Sequence, residues 1–532
     1  MVEAKKKDNS SIAAIKRHRT ALLASLGTKA YYLNRRGKEA EMYSLICDTM
    51  VELGGIYVKF LQGVLLQSQA MRKWRSNDRL KIFENLDHEP IDIVAVLRKE
   101  LTPAKLAKIT SIQPEPFAAG SFGQVYFGQH ASGKPIIIKV LRPMVHDLLK
   151  YDLRLLGIFS RGMVGKMSAN MDIDLNQAIK DFRVATLRET DYKAEAHFAH
   201  ELYDAYRDNK SFVIPETFLD LCTDNIIVQE YIDGLSVAQL MRFQEQGVNP
   251  SKYVMETLGS DLDIQLEILG TELLDGIFNL THIQGDPHPG NVRLLTGNRV
   301  GIIDFGIAAP VPDNQAAFFG IISAWHKLYS DDFDLTTLFE QFMRFFVSDL
   351  YKALKRMGSF NRRNNPDASP TEDSNYTRML GKMAHDTLAK QVGAKDIRPI
   401  LEDGRVLQIM NQMINKNNRF GLVLKLEASE ILRATQTYIT LVESLGRRNQ
   451  VLPKVFGNVV ERVSREHPEL VREDDDELSV AQAVDIISKW LERVATRDPA
   501  LFRQLVKKIR VGNNQFDTMT TQNRNQRAKI KL

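Results

Sequence analysis

The sequence predicts an α+β protein of two lobes, with an N-terminal helical extension and a helical C-terminal region. The chain has 532 residues, whereas a single hydrophobic core stops growing at roughly 250–300 residues. Strand-like apolar runs fall between Ile112 and Tyr231, and helical periodicity dominates on both sides of them. Hydrophobic residues make up 44% of the chain and charged residues 26%, a balance typical of globular proteins.

The individual elements follow from the same patterns. In the smaller lobe we expect strands at 115–128, 134–141, 211–215 and 225–231, and one continuous helix over 174–206. The polar, turn-rich run 361–375 predicts a mobile loop or linker, and 421–445 predicts an amphipathic helix.

Charge and cysteine usage restrict the partners and the compartment. The net charge of +5 is small for this length and predicts no nucleic-acid partner, but basic residues collect near both ends, as solvated tails or as contacts for an anionic membrane. Cys47 and Cys222 form no C-x-x-C motif, which favours a reducing compartment over a disulfide framework or a zinc cluster. No run reaches the ~18 apolar residues of a membrane span, and no signal-peptide core is visible. We therefore expect a cytoplasmic protein, at most peripheral to a membrane.

The first candidate site is a turn of small residues at Ala118–Val125, which follows a strand-like stretch. Without bulky Cβ substituents, backbone N–H groups approach phosphate closely. The residues of this turn that we assign to nucleotide binding are Ala118, Ala119, Gly120, Ser121, Phe122, Gly123 and Val125. The same composition also fits an ordinary β-turn.

The second candidate is Lys139, which ends an apolar strand, together with acidic residues on the predicted long helix. A buried ammonium is costly without a partner, and a phosphate and a carboxylate would supply one; a solvent-facing strand end is the alternative. Glu189, Asp191 and Glu195 are the acidic candidates, and the last two lie four residues apart and therefore on one helical face. In isolation a solvated helix surface is the favoured interpretation of these residues, and they gain weight only if a lysine on the facing strand needs a partner.

The strongest candidate is a pair of loops, Gln284–Asn291 and Asp304–Gly306. An aspartate five residues before an asparagine, followed by Asp-Phe-Gly after an apolar strand, is the arrangement of a kinase catalytic loop and metal loop. Phosphoryl transfer needs hard oxygen ligands for Mg²⁺, which Asn291 and Asp304 offer, while Asp286 can orient the attacking group and accept its proton. A metal site formed by His282 and His288 beside Asp286 is the less favoured alternative.

With these motifs, the sequence over roughly 42–446 resembles the UbiB family of atypical kinases. The alanine-rich loop, the nucleotide lysine, the helix glutamate with its Glu-x-Asp segment and the D-P-H-P-G-N signature correspond to Ala118–Val125, Lys139, Glu195 with Glu189–Asp191, and Asp286–Asn291. The family's K-x-G-Q motif resembles Lys59–Gln62. Glu230 and Tyr231 complete the expected ATP-binding set.

Several positions depart from the family pattern. Leu61 replaces the glycine of K-x-G-Q, so we expect the extension to cover the site less tightly, with Lys59 meeting Glu189. Gly120 stands where the family has its third alanine, which gives the loop more freedom over the phosphates. Gln284 replaces a histidine before the catalytic aspartate, and Gly285 lies where regulated protein kinases have an arginine.

The resemblance divides the chain and implies a function. We expect an N-terminal extension with the Lys59–Gln62 motif at 1–110, a kinase-like N-lobe at 111–235, the catalytic part of the C-lobe at 236–345, a variable insert at 346–420, and C-terminal helices with a basic tail at 421–532. The family implies a Mg-dependent ATPase or kinase-like activity, with Lys139 and Asp286 as catalytic residues, tied to ubiquinone or other isoprenoid-lipid metabolism. We expect no counterpart of the family's membrane-spanning tail in this sequence.

Two other functional classes stay open. One is a phosphotransferase acting on a soluble small molecule or a protein, although no A-P-E motif that would dock a peptide follows Gly306. The other is a scaffold that binds nucleotide without catalysis.

Overall fold

The computed structural model describes residues 2–63, 91–120, 122–142, 145–167, 175–328, 335–364, 426–471 and 478–511. These residues form two compact units. The first unit comprises the described parts of 1–208, 214–233 and 303–307, and the second comprises those of 209–213, 234–302 and 308–532. The sequence therefore passes between units at Asp233 and Gly234, close to the expected lobe boundary. The finer division into five segments stays a prediction.

The first unit begins with helices and continues with a sheet and a second group of helices. The helices are α1 Val2–Arg35, α2 Glu39–Leu53, α3 Ile56–Gly63, α4 Ile93–Glu100, α5 Pro103–Leu106, α6 Val145–Met167, α7 Leu175–Glu189 and α8 Tyr192–Tyr206. The side chains of Asp92 and Thr102 cap α4 and α5 by accepting backbone N–H groups, which fixes where these helices begin.

The sheet of the first unit is antiparallel. Its strands are β1 Ile109–Ile112, β2 Ala118–Ala119, β3 Gly123–His130, β4 Pro135–Leu141 and β6 Ile226–Glu230, in the order β1-β3-β4-β6 with β2 on β3. Gly133 has a φ of 85° in the turn between β3 and β4, a conformation that favours glycine. Ile136, Ile138 and Val140 are fully buried on one face of β4, so the period of two places Lys139 on the opposite face.

The N-terminal helices share a hydrophobic core with α6 and with the turn after β2. The cluster includes Leu26 of α1, Met50 of α2, Tyr57 of α3, Leu153 of α6 and Phe122 of the turn. Its members are apolar positions three or four residues apart on each helix, which form one stripe per helix. The helical extension is therefore part of the same core as the sheet's candidate nucleotide turn.

A buried ion pair reinforces this core. Arg19 of α1 pairs with Asp152 of α6, and the Tyr57 hydroxyl donates to the Asp152 carboxylate at 3.1 Å. Asp152 is buried, so the arginine and the hydroxyl replace the water that its carboxylate loses on folding. The contact joins helices whose residues are 133 positions apart in the sequence.

Three sequence predictions are wrong in detail. The continuous helix expected over 174–206 is two helices, because Asp191 is the N-cap of α8 and accepts the Ala194 N–H at 3.0 Å. The strand expected over 115–128 is interrupted after β2, where the chain turns at Gly120. Part of the loop expected at 361–375 belongs to a helix that ends at Asn364, and the remainder lies outside the described residues.

The second unit contains two small sheets and most of the later helices. Strands β5 Phe212–Val213, β7 Leu235–Ser236, β9 Val292–Leu294 and β10 Val300–Ile302 form a sheet in the order β5-β10-β9-β7, and β8 His282–Gln284 pairs with β11 Ala308–Pro310. The helices are α9 Val237–Glu245, α10 Pro250–Leu258, α11 Leu262–Asn279, α12 Gln315–Leu328, α13 Leu335–Phe346, α14 Ser348–Asn364, α15 Leu426–Ser444, α16 Arg448–Glu466, α17 Val480–Arg497 and α18 Pro499–Val511.

The central helix of the second unit is α11. Tyr438 of α15 is buried and donates its hydroxyl to the Leu266 carbonyl at 2.9 Å, next to Gly270, where a side chain would collide with the tyrosine ring. Arg462 of α16 contacts the acidic Glu272 and Asp275 on the same helix. The helix expected at 421–445 is confirmed by α15 over its described part.

Several segments about which the sequence makes predictions lie outside the residues that the structure describes. Most of the insert at 346–420, the tail after 511 and the side chains of Lys5, Lys6 and Lys7 are not described. Among the described helices, none has the length and apolar character required to cross a bilayer.

Candidate nucleotide site

Strand β4 of the first unit packs one face against α4 and carries an ion pair on its opposite face. The Lys139 Nζ lies 2.7 Å from Glu195 Oε1, and the two side chains are 12% and 7% exposed. Glu195 is in the first turn of α8, so the cap by Asp191 fixes the orientation of this glutamate toward the strand. The predicted Lys139–Glu195 contact is therefore present.

A second carboxylate faces the same lysine. Asp304 Oδ2 lies 3.5 Å from Lys139 Nζ, and Asp304 Oδ1 accepts the Gly306 N–H at 3.1 Å. Phe305 between them is buried and packs edge-on against Phe198 of α8 at 6.3 Å. The phenylalanine anchors the Asp-Phe-Gly segment beside the helix that carries Glu195.

The electrostatics of this cluster favour a bound cation. Burial alone would lower the pKa of the Lys139 ammonium, but the carboxylates of Asp304 and Glu195 outweigh it and raise that pKa above its usual value. Burial raises the pKa of Glu195; the charge of Lys139 opposes this shift, and the charge of Asp304 adds to it. Two carboxylates around one ammonium leave a negative excess, and the Asp304 side chain is 45% exposed. A hard divalent cation fits that exposed carboxylate.

The turn at Ala118–Val125 is held on both of its sides. Ala118 and Ala119 pair with Val125 and Gln124 across β2 and β3, and the Gly120 N–H donates to the Gly123 carbonyl at 2.8 Å. Arg142, just after β4, donates its guanidinium to the Gly120 carbonyl at 3.3 Å. Ser121 lies outside the described residues.

The two glycines of the turn differ in what they tolerate. A Cβ on Gly123 would lie 2.5 Å from the Tyr192 hydroxyl and 2.6 Å from the Val140 carbonyl oxygen, so only glycine fits there. A Cβ on Gly120 would meet nothing closer than 3.8 Å, which is an ordinary contact. Gly120 is therefore not required by packing.

An aromatic surface at the end of the sheet was missed by the sequence analysis. Phe117 directly precedes the turn and is 54% exposed, and its ring lies edge-on to Tyr231 at 5.8 Å. Tyr231 in turn packs on Phe127 at 5.2 Å, and its N–H donates to the Pro135 carbonyl. Glu230 lies 3.6 Å from Lys134. In the sequence, an aromatic residue directly before a glycine-containing turn was the feature that could have identified Phe117 as part of the site.

The extension reaches this turn through Lys59 of α3. Lys59 pairs with Glu189 at the end of α7, as the sequence predicted, and its Nζ also lies 4.5 Å from the centre of the buried Phe122 ring. The second contact was not predicted. The side chain of Gln62 lies outside the described part of the chain, and Asp191 serves as a helix cap rather than lying on one helical face with Glu195.

The second unit holds the turn with the D-P-H-P-G-N signature between β8 and β9. The Asp286 carbonyl accepts the His288 N–H at 2.8 Å and the Asn291 side-chain amide at 3.2 Å. The Asp286 N–H donates to Gln284 Oε1 at 3.0 Å, and the Pro289 carbonyl accepts the Ala238 N–H at the start of α9. Hydrogen bonds therefore hold the turn at both ends and in its middle.

The amide of Asn291 is oriented by this turn. Because its Nδ2 donates to the Asp286 carbonyl, its Oδ1 is directed away from that bond and is the oxygen available to a hard cation. The His288 ring instead accepts the Gly290 N–H at 2.9 Å through Nδ1. In the described part of the chain no group of three or more His, Cys, Asp or Glu side chains could hold a metal, so the alternative site with His282 gains no support.

The fold and these motifs define a kinase-like class of protein, and a comparison with protein-family models gives a match in the same region. The model of the ABC1 atypical kinase-like domain matches residues 84–336. This match agrees with the atypical kinase-like class that the resemblance to UbiB proteins predicted. The predicted α+β, kinase-like fold class with C-terminal helices is likewise confirmed.

Curated relatives carry names of the same kind. ACTIVITY OF BC1 COMPLEX KINASE 1 of Arabidopsis thaliana, a chloroplastic protein, is 25% identical over 295 residues, which are 55% of this chain and 41% of the relative. The probable protein kinase UbiB of Shewanella piezotolerans is 26% identical over 271 residues, 49% of this chain and 46% of the relative. The chain thus spans less than half the length of these relatives.

Solved structures align less closely. The complex of Rv3197 with erythromycin from Mycobacterium tuberculosis covers 60% of this chain and 81% of that chain at 22% identity, with a TM-score of 0.38. A Stt7 homologue from Micromonas algae soaked with ATP covers 40% and 53% at 15% identity, with a TM-score of 0.24.

Proposed function

We propose that this protein is a Mg-dependent, ATP-binding atypical kinase or ATPase of the UbiB type that supports quinone or isoprenoid-lipid metabolism. The observation that carries the proposal is the contact of Lys139 with Glu195 and Asp304 in the first unit. A lysine on an otherwise apolar strand, paired with a helix glutamate and facing the aspartate of Asp-Phe-Gly, is the arrangement that kinases use to hold ATP phosphates.

Each residue has a chemical role in this proposal. Lys139 neutralises phosphate charge, and the turn at Ala118–Val125 offers backbone N–H groups to phosphate oxygens. Asn291 and Asp304 would hold Mg²⁺, which neutralises charge on the transferring phosphoryl group. Glu230 and Tyr231 belong with the exposed Phe117 at the edge that would receive the purine base.

The reaction is transfer of the γ-phosphoryl group. The bond between the γ-phosphorus and the bridging oxygen breaks, and a new bond forms to the oxygen of water or of an acceptor hydroxyl. ADP leaves with the electron pair of the broken bond, and Asp286 accepts the proton of the attacking oxygen. The hydrogen bonds to the Asp286 backbone support this role because a general base works only when it is held in position.

The acceptor and the location are inferred from the family. We propose an acceptor that is water or a lipid-linked quinone precursor, and weak contact with anionic membranes through basic residues. Each Lys or Arg near such a surface contributes about 1 kcal/mol at low salt. The protein would then act in the cytoplasm or at a membrane surface.

The test measures ATP turnover with Mg²⁺, with and without anionic liposomes and a soluble quinone-precursor mimic. We expect turnover that requires Mg²⁺ and Lys139, rises with liposomes or mimic, and loses the liposome effect at high salt. Lys139→Met is the inactive variant, and Lys252→Met, an exposed lysine of α10, is its matched control. Tight ATP binding without turnover would replace the proposal by a nucleotide-binding scaffold. Turnover stimulated only by soluble acceptors would replace it by a soluble phosphotransferase.

A further inference from the structure

The residue that replaces the family histidine has a defined contact in the second unit. Gln284 is the last residue of β8, is 3% exposed, and pairs with Ala308 of β11 across the small sheet. Its Oε1 accepts the Asp286 N–H at 3.0 Å. The glutamine therefore bridges the end of a strand and the backbone of the proposed catalytic aspartate.

The bond from Gln284 complements the other contacts of the turn. The Asp286 carbonyl already accepts two N–H groups, those of His288 and Asn291. These bonds fix the peptide after Asp286, and the bond from Gln284 fixes the peptide before it. With both adjacent peptides fixed, the φ and ψ angles of Asp286 are set, and they determine where its carboxylate begins.

An amide suits this position for an acid–base reason. The glutamine amide carries no charge at any physiological pH, so its oxygen accepts a hydrogen bond throughout. A histidine here would be a titratable group, and its imidazolium form accepts no hydrogen bond. The replacement thus removes a titratable group from beside Asp286.

We propose that Gln284 is a positioning residue that orients Asp286 through its backbone by means of an acceptor that does not itself titrate. This inference rests on the proposed function, because it assigns a partner to the proposed general base. The contact of the glutamine is with the backbone of Asp286, so we expect it to act on turnover rather than on ATP binding.

The test compares Gln284→Leu and Gln284→His with the wild type in ATP turnover from about pH 5.5 to 8.5. For Gln284→Leu we expect kcat to fall roughly 5- to 100-fold, the loss expected for a buried donor without its acceptor, with KM for ATP changed less than about twofold. For Gln284→His we expect kcat close to that of the wild type at the alkaline end of this range and a progressive loss toward its acid end, where the imidazole becomes protonated.

A matched variant separates positioning from general loss of stability. Gln265 of α11 is also buried and donates to two backbone carbonyls, those of Leu295 and Arg299. Gln265→Leu should lower the melting temperature while leaving the pH profile of kcat parallel to that of the wild type. If Gln284→Leu behaves like this control, or if the Gln284→His profile runs parallel to that of the wild type, Gln284 does not position Asp286.

A second measurement decides the question even without turnover. Amide hydrogen exchange at Asp286 should accelerate at least tenfold in Gln284→Leu relative to the wild type, because the N–H loses its acceptor. If wild-type turnover does not depend on Asp286, as an Asp286→Asn variant would show, the proposed function fails. Exchange at Asp286 that is unchanged in Gln284→Leu overturns the positioning inference independently.

Discussion

Replacing Lys59 by methionine tests which of its two contacts couples the N-terminal extension to the nucleotide turn. Lys59 pairs with Glu189 and also lies over the Phe122 ring at 4.5 Å. Methionine keeps most of the aliphatic stem and removes only the charge. The variant therefore reports on electrostatic attraction rather than on lost packing.

The exposure of the partners decides which contact is larger. The Lys59 and Glu189 side chains are 25% and 47% exposed, so their ion pair contributes about 0.2–1 kcal/mol. The Phe122 ring is buried, and a cation above a desolvated ring contributes about 1–2 kcal/mol. We expect Lys59→Met to lower the free energy of unfolding by about 1–2 kcal/mol, mostly through Phe122.

Two double-mutant cycles separate the contributions. One combines Lys59→Met with Phe122→Leu and the other combines it with Glu189→Gln, and both are read from denaturant unfolding and from ATP affinity by calorimetry. The exposed pair of Lys38 and Glu41 provides the control, and Lys38→Met should change neither quantity measurably. A coupling energy to Phe122 below that to Glu189, or below about 0.3 kcal/mol, would refute the assignment.

Three further predictions concern the Asp304 carboxylate, the turn at Gly120 and the ion pair of Arg19 with Asp152. Asp304→Asn should abolish Mg-dependent ATP binding, measured by calorimetry, while circular dichroism stays unchanged, because the exposed carboxylate is lost and Lys139 keeps Glu195. Gly120→Ala should leave the melting temperature within about 2 °C of the wild type, because the nearest contact of the new methyl is 3.8 Å away, but it should change ATP affinity by stiffening the turn. Arg19→Met should cost about 3 kcal/mol of unfolding free energy at pH 7 and less near pH 5, measured by urea titration at both values.

The sign of the last effect follows from the pKa of Asp152. Burial raises that pKa above the ordinary aspartate value, although Arg19 opposes the shift. Without Arg19 the pKa in the folded protein rises further, and the folded state then holds a proton that the unfolded chain releases. Stability of the variant is therefore greatest below the unfolded pKa of about 4 and declines as the pH rises through the folded pKa. An equal loss at both pH values would contradict this reasoning.

The residues of the first-unit cluster could be predicted because each has a local sign. Lys139 ends an apolar run, and a buried ammonium needs partners, so an acidic residue on a nearby helix was expected. Asp304 follows an apolar strand in Asp-Phe-Gly, a motif whose order fixes its role. The contact of Lys59 with Glu189 was instead predicted from the resemblance of Lys59–Gln62 to the family's K-x-G-Q motif.

Other features of the structure could not be predicted because nothing in the neighbouring sequence indicates them. Helical periodicity runs through Thr190 with little change, and only the Asp191 side chain, by capping α8, shows that the helix is broken there. The contact of Lys59 with the Phe122 ring and the ion pair of Arg19 with Asp152 depend on packing between segments that are far apart in the sequence. Periodicity assigns such a residue to one face of its own helix, but it does not identify the element that packs against that face.

The shared core of the extension has a consequence for how the protein is made. Arg19 meets Asp152 only after the intervening 133 positions have been synthesised. At about 5–20 residues per second, the interval is roughly 7 to 27 s. During that time the stripe on α1 with Leu23 and Leu26 lacks its partners on α6. Until then the contacts of α1 with α2 can form, but the core that the extension shares with the kinase-like lobe stays incomplete.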